Sequence, residues 1–240
     1  MTDVVDVDDE DTWPEPVREF VRRHAKTFGA DEEDTGDLED YGFAAGNYLR
    51  GRLLKAYHCT RLLDHEKADI QQDGLRKLDS AMIEKRLAKA RACGQLTQER
   101  EIGLFDGYND HDQQFRNDQV SAVVGRRAFD DQPEGFWRLL STWGGEAIYH
   151  WYDDHTPEQH YLRSLGTPSI VVVHLDLNLR GSKDHFFSPA LGRTFLRAHL
   201  KRDNAHCAVS YACSIPSEHI IEIQQPGDPA YDAHPHLPSK

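Results

Sequence analysis

Four groups of residues in this 240-residue chain are of types that could do chemistry. The first is Tyr57-His58-Cys59-Thr60-Arg61, closing the run Leu53-Leu54-Lys55-Ala56. A neutral histidine at the end of a strand offers one donor and one acceptor nitrogen, and an arginine presents a planar fork of donors suited to phosphate oxygens. The second is Ser141-Thr142-Trp143-Gly144-Gly145-Glu146-Ala147-Ile148-Tyr149. Two consecutive glycines let a backbone approach a ligand closely, and an acid follows directly. The same residues also read as a helix start, with Glu146 favoured in the first turn and Trp143 and Tyr149 in the core. The third is Pro216-Ser217-Glu218-His219-Ile220, where Glu218 is either an acid poised at a late strand or an exposed turn residue. The fourth, Asp110-His111-Asp112, mixes imidazole and carboxylates as a metal-dependent nuclease or hydrolase would, within a polar stretch that also reads as a solvated loop. A zinc set drawn from His206, Cys207, Cys213 and His219 lacks a short C-x-x-C pair, and these cysteines read as ordinary core thiols. No G-x-S-x-G, Walker loop, H-E-x-x-H or G-x-G-x-x-G is present.

The elements that must position these residues follow from periodicity and punctuation. Val17, Phe20, Val21, His24 and Phe28 recur at helical spacing after Pro14 and Pro16. Leu53 to Cys59 forms a strand, and a helix from Asp64 to Gln72 is stopped by Gly74. Ser80 is placed to cap a helix running to Ala92. Gln119 to Phe129 has the composition of a strand leading into a turn at Asp130 to Gly135, and Thr167 to Leu179 carries the β-branched run Ile170-Val171-Val172-Val173 of a central, buried strand. Ser188 and Pro189 open a helix to Leu200, and Ala205 to Ile223 holds one or two further strands. Helices gather in the N-terminal half and strands in the C-terminal half, which gives an α+β class. The expected organisation is a disordered acidic leader over 1–12, one α+β domain over 13–225 and an irregular Pro-rich tail over 226–240.

The formal charge of −13 is concentrated at one end: residues 1–40 hold 15 acids and 4 bases, leaving −2 for the remainder. The acidity is therefore a property of the leader, a solubilising end or a segment that engages a basic partner. The nearly neutral remainder argues against broad binding to phosphate backbones. Four dispersed cysteines suit a reducing compartment. No apolar run approaches the roughly 20 residues that span a bilayer, and the opening has neither a basic nor an apolar signal region. The expected location is cytoplasmic, with no membrane partner.

The stretch from Tyr57 to Arg61, followed by a helix and Ile70-x-x-x-Gly74-Leu75, resembles the opening motif of the ADP-ribosyltransferase superfamily. There a strand ending in H-G-S/T or H-x-T precedes a helix and a G-L turn, as in poly(ADP-ribose) polymerases, RNA 2′-phosphotransferases and DarT-type toxins. The resemblance covers about 20 residues, and Cys59 stands where glycine is usual. It implies a split, mostly antiparallel sheet and NAD as substrate, with no metal. His58 would contact a ribose of NAD, Thr60 would orient the nicotinamide, and Arg61 would lie near the pyrophosphate. Trp143 or Tyr149 would stack on nicotinamide. Glu146 or Glu218 would polarise the ribose hydroxyl, the latter by likeness to the late-strand glutamate of the polymerase branch. The resemblance leaves the acceptor unknown. A bacterial toxin or defence role with a neutralising protein partner follows by analogy. The contrasting expectation is a non-catalytic binding or immunity-type protein that presents Trp143 to Tyr152 as an exposed aromatic surface.

Overall fold

The computed structural model describes residues 3–28, 43–109, 116–150, 152, 155–177 and 184–239. Its first element, β1 (Val4–Val5), runs parallel to the start of β2 (Leu53–Leu62), with Val4 opposite Leu53 and Val5 opposite Leu54. Between them lie α1 (Glu15–Phe28), which buries Val17, Phe20, Val21 and Phe28 along one stripe, and α2 (Ala45–Tyr48). Residues 3–12 are thus not the disordered leader their charge suggested. Val5, Val7 and Trp13 are buried in the core, and the Trp13 indole donates to the Asp6 carbonyl at 2.8 Å. Composition averaged the buried valines together with the outward acids, and only their alternation separates the two.

After β2 come α3 (Asp64–Asp73), α4 (Ser80–Ala92), α5 (Gln98–Asn109), β3 (Val120–Val124), α6 (Ala128–Asp131), α7 (Pro133–Ser141), α8 (Glu146–Tyr149) and α9 (Pro157–Ser164). The chain then forms β4 (Thr167–Asp176), α10 (Asp184–His199), β5 (Cys207–Tyr211), β6 (Ile220–Gln224) and α11 (Pro229–Asp232). The helices, expected mainly in the N-terminal half, continue beyond it. Asp79 rather than Ser80 caps α4, its carboxylate accepting from the Met82 N–H at 2.6 Å. Ser188 lies inside α10 and accepts from the Ala45 N–H at 2.9 Å instead of capping a helix. The tail expected to be irregular holds α11 and places Tyr231 and Leu237 in the core.

These elements form a single α+β domain around one mostly antiparallel, open sheet of six strands. The order is β5-β3-β2-β4-β6, with β1 beside β2. β2 and β4 pair along their whole length, from Leu53↔Asp176 to Leu62↔Thr167. Side chains alternate between the two faces of a strand. Leu54, Ala56 and Leu62 accordingly join one core with Val171, Val173 and Phe195 of α10, while Tyr57 and Cys59 join another with Val172, Phe129 and Tyr231. Because β4 is covered on both faces it reads as a continuous apolar run, and Ile170 to Val173 are buried as expected. A third cluster packs Ile83 and Leu87 of α4 against Tyr108, Trp143 and Tyr149. Between β2 and β3, however, the register is the single pair Tyr57↔Val123. The sheet opens there.

Candidate functional site

A cavity of about 840 Å³ occupies this opening. Consecutive residues of both strands border it, from Tyr57 to Thr60 of β2 and from Val120 to Val123 of β3 with Gln119 just before it, as expected where two strand edges face an opening. The volume is that of a pocket for a small-molecule ligand or cofactor. His58 and Thr60 occupy the positions of β2 in phase with Ala56 and Leu62 and line this space. Antiparallel neighbours normally exchange backbone bonds; here the His58 ring meets the Ser121 carbonyl instead, Nδ1 to oxygen at 2.7 Å. A carbonyl only accepts, so Nδ1 carries the proton and the neutral ring keeps a lone pair on Nε2. Burial lowers the His58 pKa below its ordinary value; the nearby Arg86 charge lowers it further, against the opposing bond to Ser121. The site therefore offers an acceptor nitrogen to a ligand hydroxyl or amide.

Gly74 and Leu75 form another wall. Leu75 exchanges two backbone bonds of 2.8 Å with Ile215, and a side-chain carbon at Gly74 would lie 2.1 Å from the Ile215 oxygen. Gly74 also has φ +84°, so this position needs glycine twice over. The loop Gly144-Gly145-Glu146 lines the same cavity, with Glu146 in the first turn of α8. Its carboxylate is about half exposed and accepts from Arg116 Nη2 at 3.2 Å.

Two charged residues that the sequence did not single out fix this wall. Glu66 of α3 is buried, and its Oε2 accepts from the Leu63 N–H and the Trp143 indole, both at 2.8 Å. Its other oxygen is paired with Arg86 of α4, whose Nη1 donates to the Gly144 carbonyl at 3.0 Å. Burial alone would raise the Glu66 pKa, but Arg86 and the donors of Leu63 and Trp143 outweigh it and hold the carboxyl below its usual range. Glu66 closes the start of α3 in one direction only, since Leu63 has no side-chain acceptor to return the bond, and the sequence therefore carried no capping-box signal for it. Among the described residues, six Lys and Arg side chains line the cavity against four Asp and Glu, a surplus of +2 in a chain of net charge −13.

The chain matches no family model, no curated protein and no solved structure.

The cavity gathers only some of the residues expected at a site. Arg61 points to the opposite face of β2 and is buried, its guanidinium donating to the carbonyls of Leu165 and Leu140. Tyr57 and Cys59, in phase with Arg61, still border the cavity, but Arg61 does not: its bonds to Leu165 and Leu140 hold it away, so the pyrophosphate role cannot be its own. Trp143 and Tyr149 are fully buried and do not line the cavity, which removes them as stacking groups and takes both out of the exposed aromatic surface of the binding-protein expectation; Tyr152 is half-buried, and Trp151 lies outside the described residues. Burial pushes the Tyr149 hydroxyl strongly upward. Glu218 lies exposed in a 3-10 turn, Ser217–His219, and is not among the lining residues. Asp110, His111 and Asp112 lie outside the described residues. Cys207 is packed in the sheet core, and Cys213 lies beyond the end of β5. No group of three or more His, Cys, Asp and Glu among the described residues is placed to hold a metal. No helix among them is long and apolar enough to cross a membrane.

Proposed function

We propose that this protein is an NAD-dependent ADP-ribosyltransferase-like enzyme whose substrate enters the opening between β2 and β3. One observation carries the reading. His58, Thr60, the Gly74-Leu75 turn and the Gly144-Gly145-Glu146 loop, separate in sequence, border one cavity. The acceptor Nε2 of His58 suits a ribose hydroxyl, and the surplus of cations on the wall suits a pyrophosphate. Glu146 is the carboxylate of the two candidates that lines the cavity. In the reaction the bond from ribose to nicotinamide breaks with its electron pair leaving on the nicotinamide, and an acceptor nucleophile then bonds to the sugar carbon. A carboxylate accepting from the neighbouring ribose hydroxyl stabilises the positive charge that grows between these two steps.

Calorimetric titration of the purified chain with NAD tests the reading. Saturable binding that His58→Ala weakens roughly 3- to 10-fold is expected from loss of one hydrogen bond. No binding by the wild-type chain would remove NAD as the ligand.

A further inference from the structure

We infer that the buried pair Glu66–Arg86 is a positioning device that holds Glu146 toward the cavity; this rests on the reading of Glu146 given above. Three elements meet at the pair. Glu66 is on α3, immediately after the strand that carries His58 and Thr60, and its carboxylate closes the start of that helix through the Leu63 N–H. The same Oε2 accepts from the Trp143 indole. Arg86, on α4, forks between the other oxygen of Glu66 and the Gly144 carbonyl, with its guanidinium carbon 4.9 Å from the Trp143 ring centroid. Trp143 and Gly144 are thus both pinned, and only Gly145 separates them from Glu146.

The loop needs such pinning. Gly144 and Gly145 have φ of +108° and +74°, conformations that glycine reaches freely and that its own backbone does not enforce. At Gly144 a side-chain carbon would meet Ile148 at 2.8 Å, so the turn lies tight on α8. An arginine is required for the bridge, because one planar fork reaches a carboxylate and a carbonyl together where a lysine offers a single compact charge. Glu66 and Arg86 touch the cavity wall, yet their bonds go to the protein. They act through Glu146.

The test compares Arg86→Lys, which keeps the buried charge paired but loses the fork, with Glu66→Gln, which keeps an acceptor for Leu63 and Trp143. In each variant nicotinamide release, NAD affinity and amide exchange are measured. Arg86→Lys should lower kcat roughly 10- to 100-fold, the scale of a misplaced catalytic group, while the Kd for NAD changes less than about threefold. Exchange at residues 145–149 should rise with that at Val171 to Val173 unchanged. Glu66→Gln should follow in the same direction and decides the matter if Arg86→Lys fails to fold. Unchanged kcat, or unchanged exchange at 145–149, would overturn the proposal, as would kcat and affinity falling together. If the wild-type chain releases no nicotinamide, the enzymatic reading fails separately, and the exchange measurement alone decides whether the pair orders the loop.

Discussion

His58 and Arg61 are three positions apart in one strand, and their fates show what a motif conveys. The H-x-T-R spacing is legible in the sequence, and the period of two already separates His58 and Thr60 from Arg61. What the sequence did not contain is the Ser121 carbonyl, which fixes the His58 tautomer from 63 residues away. That contact makes binding pH-dependent with a definite sign. His58 accepts only when neutral, and burial holds its pKa below the ordinary value of 6.5. NAD affinity should therefore be constant at and above neutrality and fall as the pH drops through the depressed value. His58→Ala should flatten that acid limb in calorimetry, and an equal acid limb in the variant would assign the titration elsewhere. Stability has the same sign: below about pH 6.5 the unfolded chain takes up the proton before the folded one does, so folding weakens with acid.

At the scale of elements, β4 was readable because length, β-branching and the flanking Gly166 and Pro168 agree with a strand buried on both faces, and β2 from its apolar run alone. Of the helices in the third cluster, α4 was readable from the spacing of Ile83 and Leu87, whereas α9 was not. The opening between β2 and β3 was not readable, because a single pair of bonded residues in place of a ladder, with the His58 ring on the Ser121 carbonyl, joins positions distant in sequence. Gly74, which ends α3 against Ile215 on the cavity wall, gives a sharp contrast. Gly51 and Gly74 both have positive φ, at +73° and +84°, but only Gly74 would bring a side-chain carbon against backbone. Gly74→Ala should cost roughly 2–5 kcal/mol by combining strain and overpacking, and Gly51→Ala about 1 kcal/mol from strain alone. Urea unfolding of the two variants checks this, and equal costs would show that the contact with Ile215 relaxes freely.

Across the whole molecule, both ends of the chain converge on Arg126, just after β3. Its backbone N–H donates to Asp8 at 2.8 Å, and its side chain donates to His234 Nε2 at 2.9 Å, to Gln224 Oε1 at 3.1 Å and to the Ala230 carbonyl. His234 in turn donates from Nδ1 to Asp130 at 2.9 Å. Charge and proline content made the two ends look detachable, while their few apolar residues and this one arginine fasten them to the sheet. Arg126→Ala should destabilise the fold by roughly 2–3 kcal/mol through lost charge-assisted bonds, read as a lower thermal midpoint with faster exchange at the C-terminal end, while the backbone bond to Asp8 is kept. Unchanged exchange at residues 224–237 would refute the clasp. The central claim is that the cavity breaks NAD with Glu146 as its carboxylate, and it is tested most directly by the rate of nicotinamide release from wild-type, Glu146→Gln and Glu218→Gln chains. Release by the wild type, a loss of about 10²- to 10³-fold in Glu146→Gln, and a rate close to wild type in Glu218→Gln are expected. Wild-type chain that releases none, or a loss that follows Glu218 instead of Glu146, would contradict it.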